Sequence, residues 1–164
     1  MNLPDPMDTV QEFQKALRRG LATDAGEIHQ DIRCHRDIVE GDIRLTFARV
    51  EHGRVKALAV FVTDTPIDGK PTFNVGYAVP EHYRGRGWGT DVLKKAIDEA
   101  AAGLGRNGVT EFFVTAVVGR DNLASQALAR KVLQEKPQVA TDLVTGDPVL
   151  VYTRLIAYEE NNYA

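Results

Sequence analysis

Arg84-Gly85-Arg86-Gly87-Trp88-Gly89 is the segment whose residue types and spacing are best suited to chemistry. Its three glycines let the backbone come close to a ligand with N–H groups turned inward, and its two arginines supply positive charge. Recognisable elements flank it. Val75, Tyr77 and Val79 alternate as in a strand and Pro80 ends it, while beyond Gly89 the apolar Val92, Leu93, Ala96, Ile97 and Ala100 recur at helical spacing. A helix N-terminus adds partial positive charge at the same place, so the turn predicts a bound anion, and its shape suits a diphosphate.

What the turn lacks narrows that anion. No Lys-Ser or Lys-Thr follows the last glycine, which argues against a P-loop holding Mg²⁺ and a nucleoside triphosphate. A dinucleotide fingerprint fails as well, because its third glycine falls at Thr90 and no acidic residue closes a following strand about twenty residues later. What remains is Arg84-x-x-Gly87-x-Gly89 after a strand, which resembles the Gln/Arg-x-x-Gly-x-Gly/Ala motif of the GNAT superfamily of N-acetyltransferases. A second strand followed by Asn122-x-x-Ser125, 33 residues beyond Gly89, matches the same superfamily. The resemblance covers residues 57–133 well and the two ends poorly.

That resemblance implies a single N-acetyltransferase domain over residues 1–164. The implied fold is α/β, the GNAT acyl-CoA N-acyltransferase fold: a mixed, mostly antiparallel sheet with splayed central parallel strands, flanked by helices. It also implies acetyl-CoA as cosubstrate, its pyrophosphate on Arg84, Gly85, Arg86, Gly87, Trp88, Gly89 and Thr90. The pantetheine arm then enters the splay, pairs with backbone beside Ala78 and Val79, and passes Asn122 and Ser125. No metal is expected.

The implied reaction is attack of a neutral amine on a thioester, through an oxyanion, with a thiolate leaving. A backbone N–H near Val79 would stabilise the oxyanion, a role needing no particular side chain. Relatives protonate the thiolate with a tyrosine seven residues after the motif asparagine, but that position is Ala129, which leaves Ser125 and Tyr152 as substitutes. The base is also unmarked. Where some relatives carry a glutamate this chain has Thr72, Phe73 and Asn74, so Glu81, His82 and Glu111 are the nearby candidates. Deprotonating a lysine-like amine at pH 7 costs about 4.6 kcal/mol and an α-amine only about 1 kcal/mol, so a site without a strong base suits the second. A binding module that kept the cradle and lost the acid is the alternative, and a phosphate site unrelated to coenzyme A a third reading.

The elements that must position these residues read as follows. Thr9-x-x-Glu12 is a capping box for a first helix carrying Val10, Phe13, Leu17 and Leu21 on one face, with Gly20 near its end. A second short helix falls within Asp24 to Ile32. Strands at Ile43 to Val50 and Val55 to Thr63 form a hairpin, Asp64 to Pro71 is a loop, and the helix after the turn runs to about Leu104. Glu111 to Val118 is a strand, Asn122 caps a helix to about Leu133, and Val139 to Leu143 with Val149 to Ile156 make a last hairpin. The superfamily usually begins with a strand, which here is missing, displaced, or hidden in Cys34 to Val39.

Bulk properties exclude other classes. The 164 residues suffice for one core, and a formal charge of −3 leaves no footprint for nucleic acid. Cys34 is the only cysteine and can close no internal disulfide, which suits a reducing compartment. No apolar run reaches membrane-spanning length and the N-terminus lacks a leader pattern, so a cytoplasmic protein is expected. The partners expected are acetyl-CoA and an amine, with a homodimer left open.

Overall fold

The computed structural model describes residues 3–159. Its first helix, α1 (Pro6–Arg18), starts ahead of the Thr9-x-x-Glu12 box. Asp5 is the N-cap: its carboxylate accepts from the Met7 amide at 2.9 Å, and Pro6, with φ preset and no N–H to satisfy, opens the first turn. Thr9 therefore lies inside the helix, where its hydroxyl reaches the Asp5 carbonyl at 3.5 Å.

The helix expected within Asp24 to Ile32 does not form. Asp24–Ala25 is a short strand, β1, and residues 26–31 turn along the flank of helix α2 (Trp88–Arg106). The cause is tertiary. Glu99 of α2, only 8% exposed, accepts from the amides of Glu27, Ile28 and His29 at 3.0, 2.8 and 2.7 Å. With a buried carboxylate satisfying those amides, local helical partners are not needed.

Strands β2 (Ile32–Val39), β3 (Asp42–Glu51), β4 (Arg54–Ile67), β5 (Lys70–Ala78), β6 (Glu111–Gly119), β7 (Gln138–Thr141) and β8 (Pro148–Ala157) complete an eight-stranded sheet ordered β1-β2-β3-β4-β5-β6-β8-β7. β2 is the strand hidden in Cys34 to Val39, and it follows α1 instead of opening the chain. The β3–β4 hairpin turns at His52 and Gly53, both at positive φ (52° and 74°), the geometry a two-residue hairpin requires. The loop expected from Asp64 to Pro71 shrinks to the turn Asp68-Gly69. Pro66 is accommodated because it falls in the register break between Asp64 and Ile67, where the ladder needs no N–H.

Central strand β4 explains the layering. Leu58, Val60 and Val62 pack with Val10 and Phe13 of α1, while Ala57, Ala59 and Phe61 pack toward α2 and α3 (Leu123–Val132). Burial on both faces is why Ala57 to Val62 is continuously apolar instead of alternating. All neighbouring strands run antiparallel except β5 and β6. That single parallel pair positions the site.

Candidate active site

β5 and β6 pair at only three positions: Thr72 with Phe113, Phe73 with Val114 and Asn74 with Thr115. Beyond them each strand stays with its other neighbour, β4 or β8, and the two part. Backbone groups of Val75 to Ala78 that face β6 are thus left without a ladder partner. The gap is a cleft of about 740 Å³, lined by Ala78, Val79, Arg84, Gly85, Gly87, Trp88, Gly89, Thr90, Asn122 and Ser125.

Gly85 and Gly87 sit at φ 79° and 76°, angles that suit glycine, and nothing lies within 4 Å of where a Cβ would stand, so this backbone faces open space. Gly87 is also the N-cap of α2, placing unpaired amides and the positive end of the helix dipole at the cleft. Gly89 serves close packing instead: a Cβ there would meet Leu128 at 3.1 Å and Val79 at 3.3 Å. The Arg84 Nε donates to the Val79 carbonyl at 2.9 Å and ties the turn to the end of β5. Lys131 of α3 lines the cleft as a second cation. These donors and charges fit a diphosphate.

The far wall is built by α3. Asn122 caps it as predicted, its carboxamide oxygen accepting from the Ser125 amide at 3.1 Å, and Gln126 donates to the carbonyls of Gly119 and Arg120 at 3.0 and 2.8 Å. Helix start and strand end are therefore fixed to one another.

Some expected residues lie elsewhere. Arg86 is not in the cleft wall; its guanidinium stands 5.1 Å from the Trp88 ring, which Arg49 also covers at 4.3 Å. Tyr152, opposite Ala116 on β8, is 0% exposed, and its hydroxyl has no partner among the described residues. Ala129 is 0% exposed and packs in the core, so position 129 does not open onto the cleft. Glu81 and His82 are exposed in a 3-10 turn and Glu111 pairs with Lys70 at 3.7 Å; none of the three lines the cleft. The Cys34 thiol is pushed up to about 11, chiefly by burial, as befits a bystander.

Two groups escaped the sequence reading. Tyr77 lines the cleft and its hydroxyl donates to the Ser125 carbonyl at 2.8 Å. Burial above all, reinforced by the neighbouring Tyr152 and opposed by the Ser125 bond, pushes Tyr77 up to about 12. The alternation of Val75, Tyr77 and Val79 put it on the correct face but carried no chemical signal. Asp5, Pro6 and Met7 also line the cleft, from the opposite side of the sheet. Gly76 permits this, since a Cβ there would lie 2.5 Å from Leu3 and 2.8 Å from Pro6.

A splayed parallel pair with a glycine-rich anion turn at the cleft is an arrangement suited to an acyl-carrier transferase. A family model, Acetyltransferase (GNAT) family, matches residues 10–133. The chain belongs to that family and is, as a member, an acetyl-CoA-dependent N-acetyltransferase. No curated protein matches the chain. Among solved structures it is similar to RimL, a ribosomal alpha-N-protein acetyltransferase in complex with coenzyme A, at 20% identity and TM-score 0.50, over 71% of this chain and 64% of that one. It is similar to a GNAT acetyltransferase from Streptococcus pneumoniae at 18% identity and TM-score 0.50, over 95% and 98%. A third likeness is to a ribosomal-protein-alanine N-acetyltransferase from Brucella melitensis, at 19% identity and TM-score 0.50, over 94% and 81%. These likenesses concern the fold.

Proposed function

We propose that this protein transfers acetyl directly from acetyl-CoA to an amine held in the gap between β5 and β6. The splay of that pair carries the reading, because it opens unpaired strand backbone beside an anion turn. The diphosphate lies on Arg84 to Thr90 with Lys131 nearby, and the pantetheine arm runs past Ala78, Val79, Asn122 and Ser125. A Val79 amide stabilises the oxyanion, a contribution commonly worth about 3 to 4 kcal/mol. Acetyl-CoA is expected to raise the melting temperature, since at about 100 times Kd a native-state ligand adds about 2.7 kcal/mol, roughly 5 to 10 °C for a chain of this size. An unchanged melting curve at millimolar acetyl-CoA defeats the reading.

The leaving sulfur receives its hydrogen bond from Tyr77, whose hydroxyl can swing from the Ser125 carbonyl toward the cleft. Its raised pKa keeps it protonated through the neutral range. The phenol absent at Ala129 is thereby supplied by the strand, which weighs against a pseudoenzyme. Tyr77→Phe is expected to lower kcat at least tenfold with acetyl-CoA affinity within about twofold, given about 1.5 to 3 kcal/mol for a hydrogen bond to a charged group. An unchanged kcat removes Tyr77 from the chemistry. The same variant has a stability signature. Because folding raises this acid's pKa, the stabilisation is full below the unfolded value near 10 and is lost as pH climbs toward 12; the Phe variant lacks that alkaline loss.

The net charge of −3 supports a small or peptidic amine over nucleic acid, and the lone, half-buried thiol supports a cytoplasmic setting. Among the described residues no helix is long and apolar enough to cross a membrane.

A further inference from the structure

The cleft is electrically polarised across the sheet. Its two cations, Arg84 and Lys131, belong to the turn and to α3, on the α2/α3 side. Its single carboxylate among the described residues, the exposed Asp5, stands on the other side at the start of α1. One Asp5 oxygen is held by the Met7 amide at 2.9 Å, which fixes the group, and the other has no partner among the described residues. The cleft is also lined by the apolar Met7 and Ala78, which pack with the α1-side cluster, and by Val117, which is 50% exposed.

We propose that Asp5 receives the ammonium form of the acceptor, and that the acceptor is a primary amine of single positive charge with no carboxylate beside it, as at a peptide N-terminus. The proposal rests on the acetyl-transfer reading above and adds its acceptor end. One carboxylate matches one ammonium, whereas a polyamine would meet apolar walls with its remaining charges. A free amino acid would bring its own carboxylate next to Asp5, where no cation of the described residues lines the cleft on that side to meet it. Atoms balance as R–NH3⁺ plus acetyl-CoA giving R–NH–acetyl, coenzyme A thiol and one released proton. The C–N bond forms as C–S breaks; one ammonium proton leaves to water and one is retained on sulfur. Asp5 orients the amine, and the low pKa of an α-amine, about 7.8, makes its deprotonation by water cheap.

Asp5→Asn separates charge from capping, because asparagine caps helices as well as aspartate does. With trialanine amide as acceptor, the variant is expected to keep its melting temperature, its acetyl-CoA affinity and its kcat while KM for the peptide rises about fivefold. The deficit should shrink above pH 8, where the α-amine loses its charge, a response that a purely structural role does not produce. An unchanged KM overturns the proposal. So does preference for spermidine or free alanine over trialanine amide, or the absence of transfer to the peptide by a protein that binds acetyl-CoA. A protein that fails to bind acetyl-CoA loses the underlying reading together with this one.

Discussion

Gly89→Val is expected to weaken acetyl-CoA binding at least tenfold, about 1.4 kcal/mol, in a calorimetric titration. The Cβ alone would stand 3.1 Å from Leu128 and 3.3 Å from Val79, and the two added methyls reach further into the same seam. Val79 directly follows β5 and Leu128 lies on α3, so the valine must push both side chains apart and strain the seam between the turn and α3, beside Asn122 and Ser125. Overpacking of this kind costs about 1 to 3 kcal/mol of stability, so the melting temperature should fall by several degrees as well. Gly87→Val forms the instructive contrast. There the Cβ meets open space, and the penalty comes from a β-branched residue at φ 76° and from occupying room a ligand would use. If Gly89→Val binds acetyl-CoA like the wild type, the diphosphate does not lie between this turn and α3.

Ala129→Tyr is expected to destabilise without accelerating turnover. By resemblance to the family this substitution restores the acid, but Ala129 is 0% exposed and sits in the core. A tyrosine ring placed there must displace packed neighbours, at about 1 to 3 kcal/mol or more. Thermal melting and steady-state rates decide between the two. A variant that stays as stable as the wild type and turns over faster shows that position 129 does reach the sulfur, and removes the case for Tyr77.

The local parts of the site were legible in the sequence for physical reasons. Strand alternation ending at Pro80, glycines where left-handed angles or close approach are needed, and an asparagine at a helix start are all short-range devices, so Arg84 to Thr90 and Asn122 to Ser125 could be placed from residue types alone. The hairpin of Ile43 to Val50 with Val55 to Thr63 was legible for the same reason. The errors share the opposite cause. The segment after Asp24 has a helix-compatible composition, yet its amides are claimed by Glu99, about seventy residues away in the chain. The Thr9 box loses to Asp5-Pro6, a competition between two adequate caps that proline's fixed φ decides.

What the sequence by itself determined is the anion turn, its flanking strand and helix, and the family to which they belong. What only the tertiary structure decided is which side chains share the cleft. Tyr77 enters it and Tyr152 stays behind in the core, although both are strand tyrosines of similar local context. Asp5 reaches it from a helix start some seventy residues before β5's end because Gly76 has no side chain to hold the N-terminal segment away. Such neighbours are set by how strands diverge and helices seat across a sheet, energies summed over many distant contacts, and no local pattern of residues encodes them.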